Sequence, residues 1–179
     1  VLIDHRTISS EMRNIYIYGF ELFWSTTFCI ISILALGAIF GYLSMAVMFL
    51  LFFIPVRFPA GGYHAKSYGR CFILTNSVAI ACVAVSRLLW SIENAEWIMW
   101  ILLLLSLVYI WINSPVQSAG HPLRPERISK NRIYAHVLLG IELVILLLFR
   151  SIDNSCVIYT GIVASWAVAI MIALAKKGG

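Results

Sequence analysis

Long runs of apolar residues, separated by short polar stretches, recur along the whole chain. A helix that crosses about 30 Å of hydrocarbon needs roughly 20 residues, with a usual range of about 17 to 25. Six segments approach this length, over residues 21–40, 42–56, 71–90, 97–112, 133–149 and 156–175. Gly37 and Gly41 mark the turn between the first two spans, and Pro59 is expected to end the second. The pattern predicts one all-α domain over residues 1–179 with about six transmembrane helices.

The composition is that of an integral membrane protein. Of the 179 residues, 61% are hydrophobic and 12% are charged, whereas soluble domains are about half apolar and about a quarter charged. A secretory signal would be one short apolar run before a soluble remainder. The net charge of +5 comes from cations beside the apolar runs, where cations orient helices and meet anionic lipid. We therefore expect the lipid bilayer as a partner and no binding of nucleic acid.

The positive charges also predict the orientation of the spans, because cytoplasmic connections carry an excess of Lys and Arg. Alternating the connections places eleven of the thirteen Lys and Arg residues on one side. The other side keeps only Arg87 and Arg150. We expect a multi-pass protein of a cell membrane, with both termini and the polar stretch after the second span in the cytoplasm.

Residues 1–20 precede the first span and predict a separate amphipathic helix in the membrane interface. Ile8, Met12 and Ile15 recur at helical spacing, and the aromatic residues that follow suit the headgroup zone. A plain membrane anchor is the simpler interpretation. A substrate-binding role is the alternative.

The stretch RFPAGGYHAKSYGRC, residues 57–71, concentrates turn-forming and reactive residues between the second and third spans. Gly61 and Gly62 permit backbone conformations closed to other residues. His64 supplies a base that titrates near neutral pH, and Cys71 supplies a thiol whose thiolate form is nucleophilic. Together they are the minimum parts of a cysteine nucleophile with its base.

The position of Cys71 at the start of the third span strengthens this hypothesis, because free N–H groups at a helix N-terminus favour a thiolate and can hold an oxyanion. A straight helix would separate the His64 and Cys71 backbones by about 10.5 Å. The pairing therefore requires the chain to fold back, with Gly69 as the expected bend. The alternative is that His64 is a solvated loop residue and Cys71 an ordinary helix-start cysteine.

The other cysteines predict no further chemistry. Cys29, Cys82 and Cys156 lie within apolar runs, where a thiol behaves as a small hydrophobic group. The four cysteines and four histidines have neither CxxC pairs nor zinc-like spacing. We expect no metal and no cofactor.

At these residues the sequence resembles the accessory gene regulator B (AgrB) family of bacterial membrane peptidases. The resemblance rests on R-x-x-x-G-G-x-H-A at residues 57–65 with Cys71 seven positions after the His, then SPV at 114–116 and HPL at 121–123. The family often has Lys-Pro where this chain has His121-Pro122. Size, helix number and loop placement agree, so the resemblance covers nearly the whole chain.

The resemblance implies that Cys71 is the nucleophile and His64 its base, with Arg57, Gly61 and Gly62 shaping the site. It implies a bacterial cysteine endopeptidase acting on a short AgrD-like quorum-sensing precursor peptide. The enzyme would release the acidic tail through an acyl-enzyme thioester, and the substrate's own Cys or Ser would then close a thiolactone or lactone. It also implies a homodimer and no cofactor.

Cations around the start of the fifth span are candidate contacts for an acidic tail, because they would attract it electrostatically. The alternative is that they set the topology and contact lipid only. The four candidates are Arg124, Arg127, Lys130 and Arg132.

Three polar residues inside the spans leave alternatives open. Glu142 lies near the middle of the fifth span, where an ionisable group is a functional-site hypothesis, and His136 lies two turns nearer the cytoplasm. A structural pairing, or a neutral Glu142, is favoured over a proton or peptide pathway. Asn76 either orients the His of the site or hydrogen-bonds a neighbouring helix.

Two other function classes compete with the peptidase. The chain could be a small peptide transporter in which the polar loops are gates and Glu142 couples to protons, or a non-enzymatic membrane scaffold. Transporters usually have internal repeats and broken midspan helices, and the sequence shows neither.

Overall fold

The computed structural model describes residues 13–61, 67–116, 125–150 and 155–177. Within these ranges every helix is long and apolar enough to cross a membrane, which confirms the all-α, multi-pass class. The predicted interfacial helix falls mostly on residues 1–12, outside the described residues, and residues 13–20 are continuous with the first span. The helices are α1 (Arg13–Ile39), α2 (Leu43–Ala60), α3 (Tyr68–Trp90), α4 (Ala95–Asn113), α5 (Pro125–Phe149) and α6 (Ser155–Lys177).

Helix α2 extends four residues beyond its predicted end and contains both Pro55 and Pro59. The prediction that Pro59 ends the second span is wrong. A proline removes an intrahelical donor, but its fixed φ is compatible with a helix, and the burial of Val56, Pro59 and Ala60 keeps this face packed. The helix ends at Gly61, with φ +75° and ψ −153°, a conformation that glycine adopts far more readily than other residues.

Helices α3 and α5 both begin before their predicted starts. Ser67 precedes α3 in an extended conformation, and its Oγ accepts a hydrogen bond from the Arg70 N–H at 3.4 Å, which is a serine N-cap. Helix α5 begins at Pro125, a residue suited to the first helical position because it has no N–H to satisfy. These early turns carry exposed polar residues, so hydropathy alone does not reveal them.

Helix α6 is the centre of the bundle and the most buried of the described spans. It packs mainly against α2, α3 and α4. Gly161 brings it close to Leu146 of α5 and to Met48 and Phe52 of α2. Close approach at small residues is a main source of packing energy between membrane helices.

Helix α1 lies at the edge of the bundle, against α2 and α3. Gly37 faces Ala46, and a Cβ added at Gly37 would lie 2.6 Å from the Ala46 Cβ. Another side of α1 exposes large apolar side chains, including Phe20 and Phe23. Exposed apolar side chains suit a lipid-facing surface.

One end of the bundle, here called the Cys71 end, is formed by the end of α2, the start of α3, and the ends of α4 and α6. Gly61 and Val116 form a single parallel β-bridge there. Lys176 near the end of α6 donates a hydrogen bond to Asn113 at the end of α4. These contacts bring together segments that are distant in the sequence.

The opposite end of the bundle carries two cations. Arg150 Nη2 lies 3.1 Å from Glu96 Oε1, and Arg87 contacts the hydroxyl and ring of Tyr42. Arg87 and Arg150 are the two residues that the charge distribution assigns to the minor side of the membrane. The bundle therefore places these two arginines at one end and Cys71 at the other.

Candidate active site

The end of α2 is joined to the segment after α4 by backbone contacts. The Val116 N–H donates to the Ala60 carbonyl at 2.9 Å, and Gly61 pairs with Val116 in the β-bridge. A Cβ added at Gly61 would overlap the Val116 carbonyl oxygen, well inside the 3.0 Å limit of real Cβ contacts. Position 61 therefore needs a glycine for two reasons, the positive φ and the close approach of the Val116 backbone. This approach joins Gly61 to the SPV segment.

Arg57 lies in the last turn of α2 with its side chain half-buried. The guanidinium carbon is 5.5 Å from the centroid of the Phe53 ring, within the range of a cation–π contact. Arg57 also lies close enough to Cys71 of α3 for a charge on one to influence the other. The last turn of α2 therefore brings a cation into the region of Cys71.

Cys71 is a half-buried free thiol in the fourth position of α3. Its N–H donates to the Ser67 carbonyl at 3.0 Å. The Cys71 N–H is therefore the first N–H of α3 that bonds a carbonyl four residues earlier. The N–H groups without such a partner belong to the residues before Cys71. The thiol still lies within about one turn of this N-terminus, where the helix dipole favours an anion.

Helix α3 begins directly after Ser67, so the expectation of a bend at Gly69 is wrong. Ser67 has φ −146° and ψ 153°, whereas Gly69 lies inside α3. Because Ser67 is the N-cap, α3 begins at Tyr68 and does not extend to residue 64. His64 and Gly62 lie outside the described residues, and the pairing of His64 with Cys71 stays a prediction.

Helix α1 forms a wall beside Cys71 that the sequence did not indicate. Cys29 of α1 lies close enough to Cys71 of α3 for a charge on one to influence the other. One turn deeper, Ser32 Oγ donates to Asn76 Oδ1 at 2.9 Å, and Asn76 Nδ2 donates to the Phe72 carbonyl. Asn76 therefore bonds a neighbouring helix. The only sequence signal for this wall is a face of small polar residues at 25, 29 and 32, at helical spacing.

The candidate tail contacts lie on the first turns of α5. Arg127, Lys130 and Arg132 are exposed there, and Arg124 lies outside the described residues. Since α5 ends beside Arg150 at the opposite end of the bundle, its first turns project from the Cys71 end. Their contact with a substrate stays a prediction.

Glu142 and His136 each have a partner on a neighbouring helix. The Ser165 hydroxyl lies 3.2 Å from Glu142 Oε2 and 3.2 Å from the Gly161 carbonyl. Glu142 Oε1 is buried and has no hydrogen-bond partner in the described part of the chain. The His136 ring stacks on Trp111, with centroids 3.6 Å apart. These contacts favour the structural interpretation of both residues.

The family was tested by comparison with known proteins. A family model described as Accessory gene regulator B, AgrB, matches residues 1–172. The chain belongs to the AgrB family. No curated protein and no solved structure matches the chain. Membership of the AgrB family confirms the resemblance carried by residues 57–71, and AgrB proteins take part in processing a quorum-sensing peptide.

Proposed function

We propose that this AgrB-family protein is a membrane-embedded cysteine endopeptidase that removes the C-terminal tail of an AgrD-like precursor and promotes cyclisation of the remainder. One observation carries the proposal. Arg57 in the last turn of α2 lies near Cys71 at the start of α3, and the Gly61–Val116 bridge follows Arg57 by one turn. These residues support a site in which a cation and a shaped backbone accompany the candidate nucleophile.

The chemistry begins with attack of the Cys71 thiolate on the carbonyl carbon at the end of the signal segment. The C–N bond breaks, and the tail leaves as an amine that takes the proton held by His64. The signal segment is then bound to Cys71 Sγ as a thioester. The substrate's own thiol or hydroxyl attacks that carbonyl, the C–Sγ bond breaks, and the proton of the attacking group returns to Cys71. Because a thioester and a thiolactone have similar energies, removal of the tail would drive the reaction forward.

The proposed location is a bacterial cell membrane with the Cys71 end in the cytoplasm. The charge distribution supports it, since Arg87 and Arg150 lie together at the opposite end and cytoplasmic connections carry the excess of cations. The precursor would meet the site from the side on which it is synthesised. Exposed Arg127, Lys130 and Arg132 would attract its acidic tail by electrostatic steering.

Co-expression with the candidate precursor tests this function, using release of the tail as the readout. Cys71→Ala and His64→Ala are each expected to abolish tail release while membrane insertion is unchanged. Cys156→Ala is the matched control, because it removes another half-buried thiol, at the far side of the bundle near Arg87. Tail release by Cys71→Ala at the wild-type rate would refute the peptidase and leave the transporter and scaffold hypotheses.

A further inference from the structure

An open groove of about 600 Å³ runs between α1 and α3 beside Cys71. Glu21, Ser25 and Phe28 line its α1 wall. Tyr68, Gly69 and Phe72, which immediately flank Cys71 in the sequence, line its α3 wall. Cys71 lies between the lining residues Gly69 and Phe72 near the start of α3, so the candidate nucleophile lies at the edge of the groove.

The groove has a defined length. It extends along α1 from Glu21 to Ser32, a rise of about 16 Å in a helix. At its deep end the Ser32–Asn76 hydrogen bond joins the two walls at 2.9 Å. An extended peptide rises about 3.3 Å per residue, so the groove accommodates roughly five residues.

Its polar groups suit a peptide backbone. A peptide at this depth has N–H groups that lack water and need acceptors. The Glu21 carboxylate and the hydroxyls of Ser25 and Ser32 line the α1 wall and can accept such bonds. Phe28 and Phe72 supply apolar contact for side chains.

The charge of the groove selects which part of the precursor it can hold. Glu21 is the one carboxylate among its described lining residues, and it would repel an acidic tail. Exposed Arg70 at the start of α3 and the cations of α5 lie at the same end of the bundle and would attract one. The tail and the segment before the scissile bond are therefore drawn in different directions at Cys71.

We propose that the α1–α3 groove holds the signal segment of the precursor, on the N-terminal side of the scissile bond, before and during its attachment to Cys71. This rests on the proposed peptidase function. The held segment keeps its own nucleophile close to the thioester carbonyl and shields that carbonyl from water. Ring closure is thereby favoured over hydrolysis to a linear acid.

Gly69 offers a direct way to fill the groove. It lies within α3, and an added Cβ there meets no described atom within 4 Å, so Gly69→Leu would project into the groove without displacing the protein. Gly140→Leu is the matched control, because Gly140 is also helical, exposed and free of near contacts. We expect Gly69→Leu to lower tail release at least tenfold and Gly140→Leu to stay within twofold of wild type. Tail release by Gly69→Leu within twofold of wild type would overturn the proposal.

A photocrosslinking experiment separates substrate binding from catalysis. In the Cys71→Ala protein, benzoylphenylalanine is placed at Phe28, on the groove wall, or at Phe23, which is exposed on another side of α1. We expect the precursor to crosslink at position 28 at least tenfold more than at 23, with the crosslinked site in the signal segment.

The alternative occupants give different products, and each overturns the proposal: crosslinks to the tail or leader, to residues 1–12 of the chain, or to lipid only. The failure of the peptidase function is a separate result, namely tail release by Cys71→Ala. The crosslinking position does not depend on that result, so the two failures are distinguishable.

Discussion

Gly61→Ala tests whether the junction between α2 and the segment after α4 is needed for activity. Gly61 has φ +75° and ψ −153°, a region in which a residue with a Cβ is strained by about 1 to 3 kcal/mol. The added Cβ would also overlap the Val116 carbonyl oxygen. The Val116 N–H to Ala60 bond contributes only about 1 kcal/mol. With strain near the upper value, the open junction is favoured by about 2 kcal/mol, or roughly thirtyfold.

The assay is the rate of tail release in membranes, together with a thermal melt in detergent. We expect Gly61→Ala to release the tail about thirtyfold more slowly, because the junction beside Cys71 opens. Gly140→Ala is the matched control, since its added Cβ meets open space in a helix, and it should keep the wild-type rate. Val116→Ala should not rescue Gly61→Ala, because the overlapping atom belongs to the backbone.

The reasoning is refuted if Gly61→Ala keeps tail release within twofold of wild type at an unchanged melting midpoint. Rescue by Val116→Ala would also contradict it, because the clash would then come from the Val116 side chain. Loss of insertion in Gly61→Ala is checked separately by membrane fractionation. The comparison uses only protein that reaches the membrane.

Three further predictions address other contacts. Arg57→Gln should slow tail release roughly fivefold, because the cation near Cys71 is lost and a partly screened charge interaction is worth about 1 kcal/mol. Arg57→Lys should retain most of the rate, and an unchanged rate in Arg57→Gln would contradict a role for this charge. Glu142→Gln should keep both the melting midpoint and the rate of tail release. Glu142→Ala should lose about 2 kcal/mol of stability, because it leaves a buried gap beside Ser165. Loss of tail release in a stable Glu142→Gln protein would favour a proton pathway instead. Gly37→Ala should lower the free energy of unfolding by about 1 to 3 kcal/mol, because the added Cβ would lie 2.6 Å from the Ala46 Cβ. A melting midpoint equal to that of Gly140→Ala would exclude this packing effect.

The six spans are predictable from the sequence because lipid leaves a chain few choices. A backbone in hydrocarbon must satisfy its own N–H and C=O groups, so a long apolar run becomes a helix. The bounds are less predictable. Helix α2 continues past Pro59 because its apolar face is buried against the bundle, and that burial depends on helices far away in the sequence.

The candidate site is only partly predictable for the same reason. The sequence singled out Arg57, Gly61 and Cys71 as unusual residues in one stretch. It could not indicate that Gly61 pairs with Val116, since pairing is a long-range contact. Nor could it indicate that α1 borders Cys71, because an apolar helix does not reveal in its sequence which neighbour each face contacts.

The central position of α6 has a consequence for the order in which the protein is assembled. Helices α2, α3 and α4 all pack against α6, yet α6 follows every other described helix along the chain. Membrane helices insert first and associate afterwards, so the earlier helices enter the bilayer before the surface that will bury them exists. Arg57 and Cys71 therefore cannot be held in their final arrangement until α6 has been translated, and a nascent chain stalled before residue 155 should be inserted but inactive.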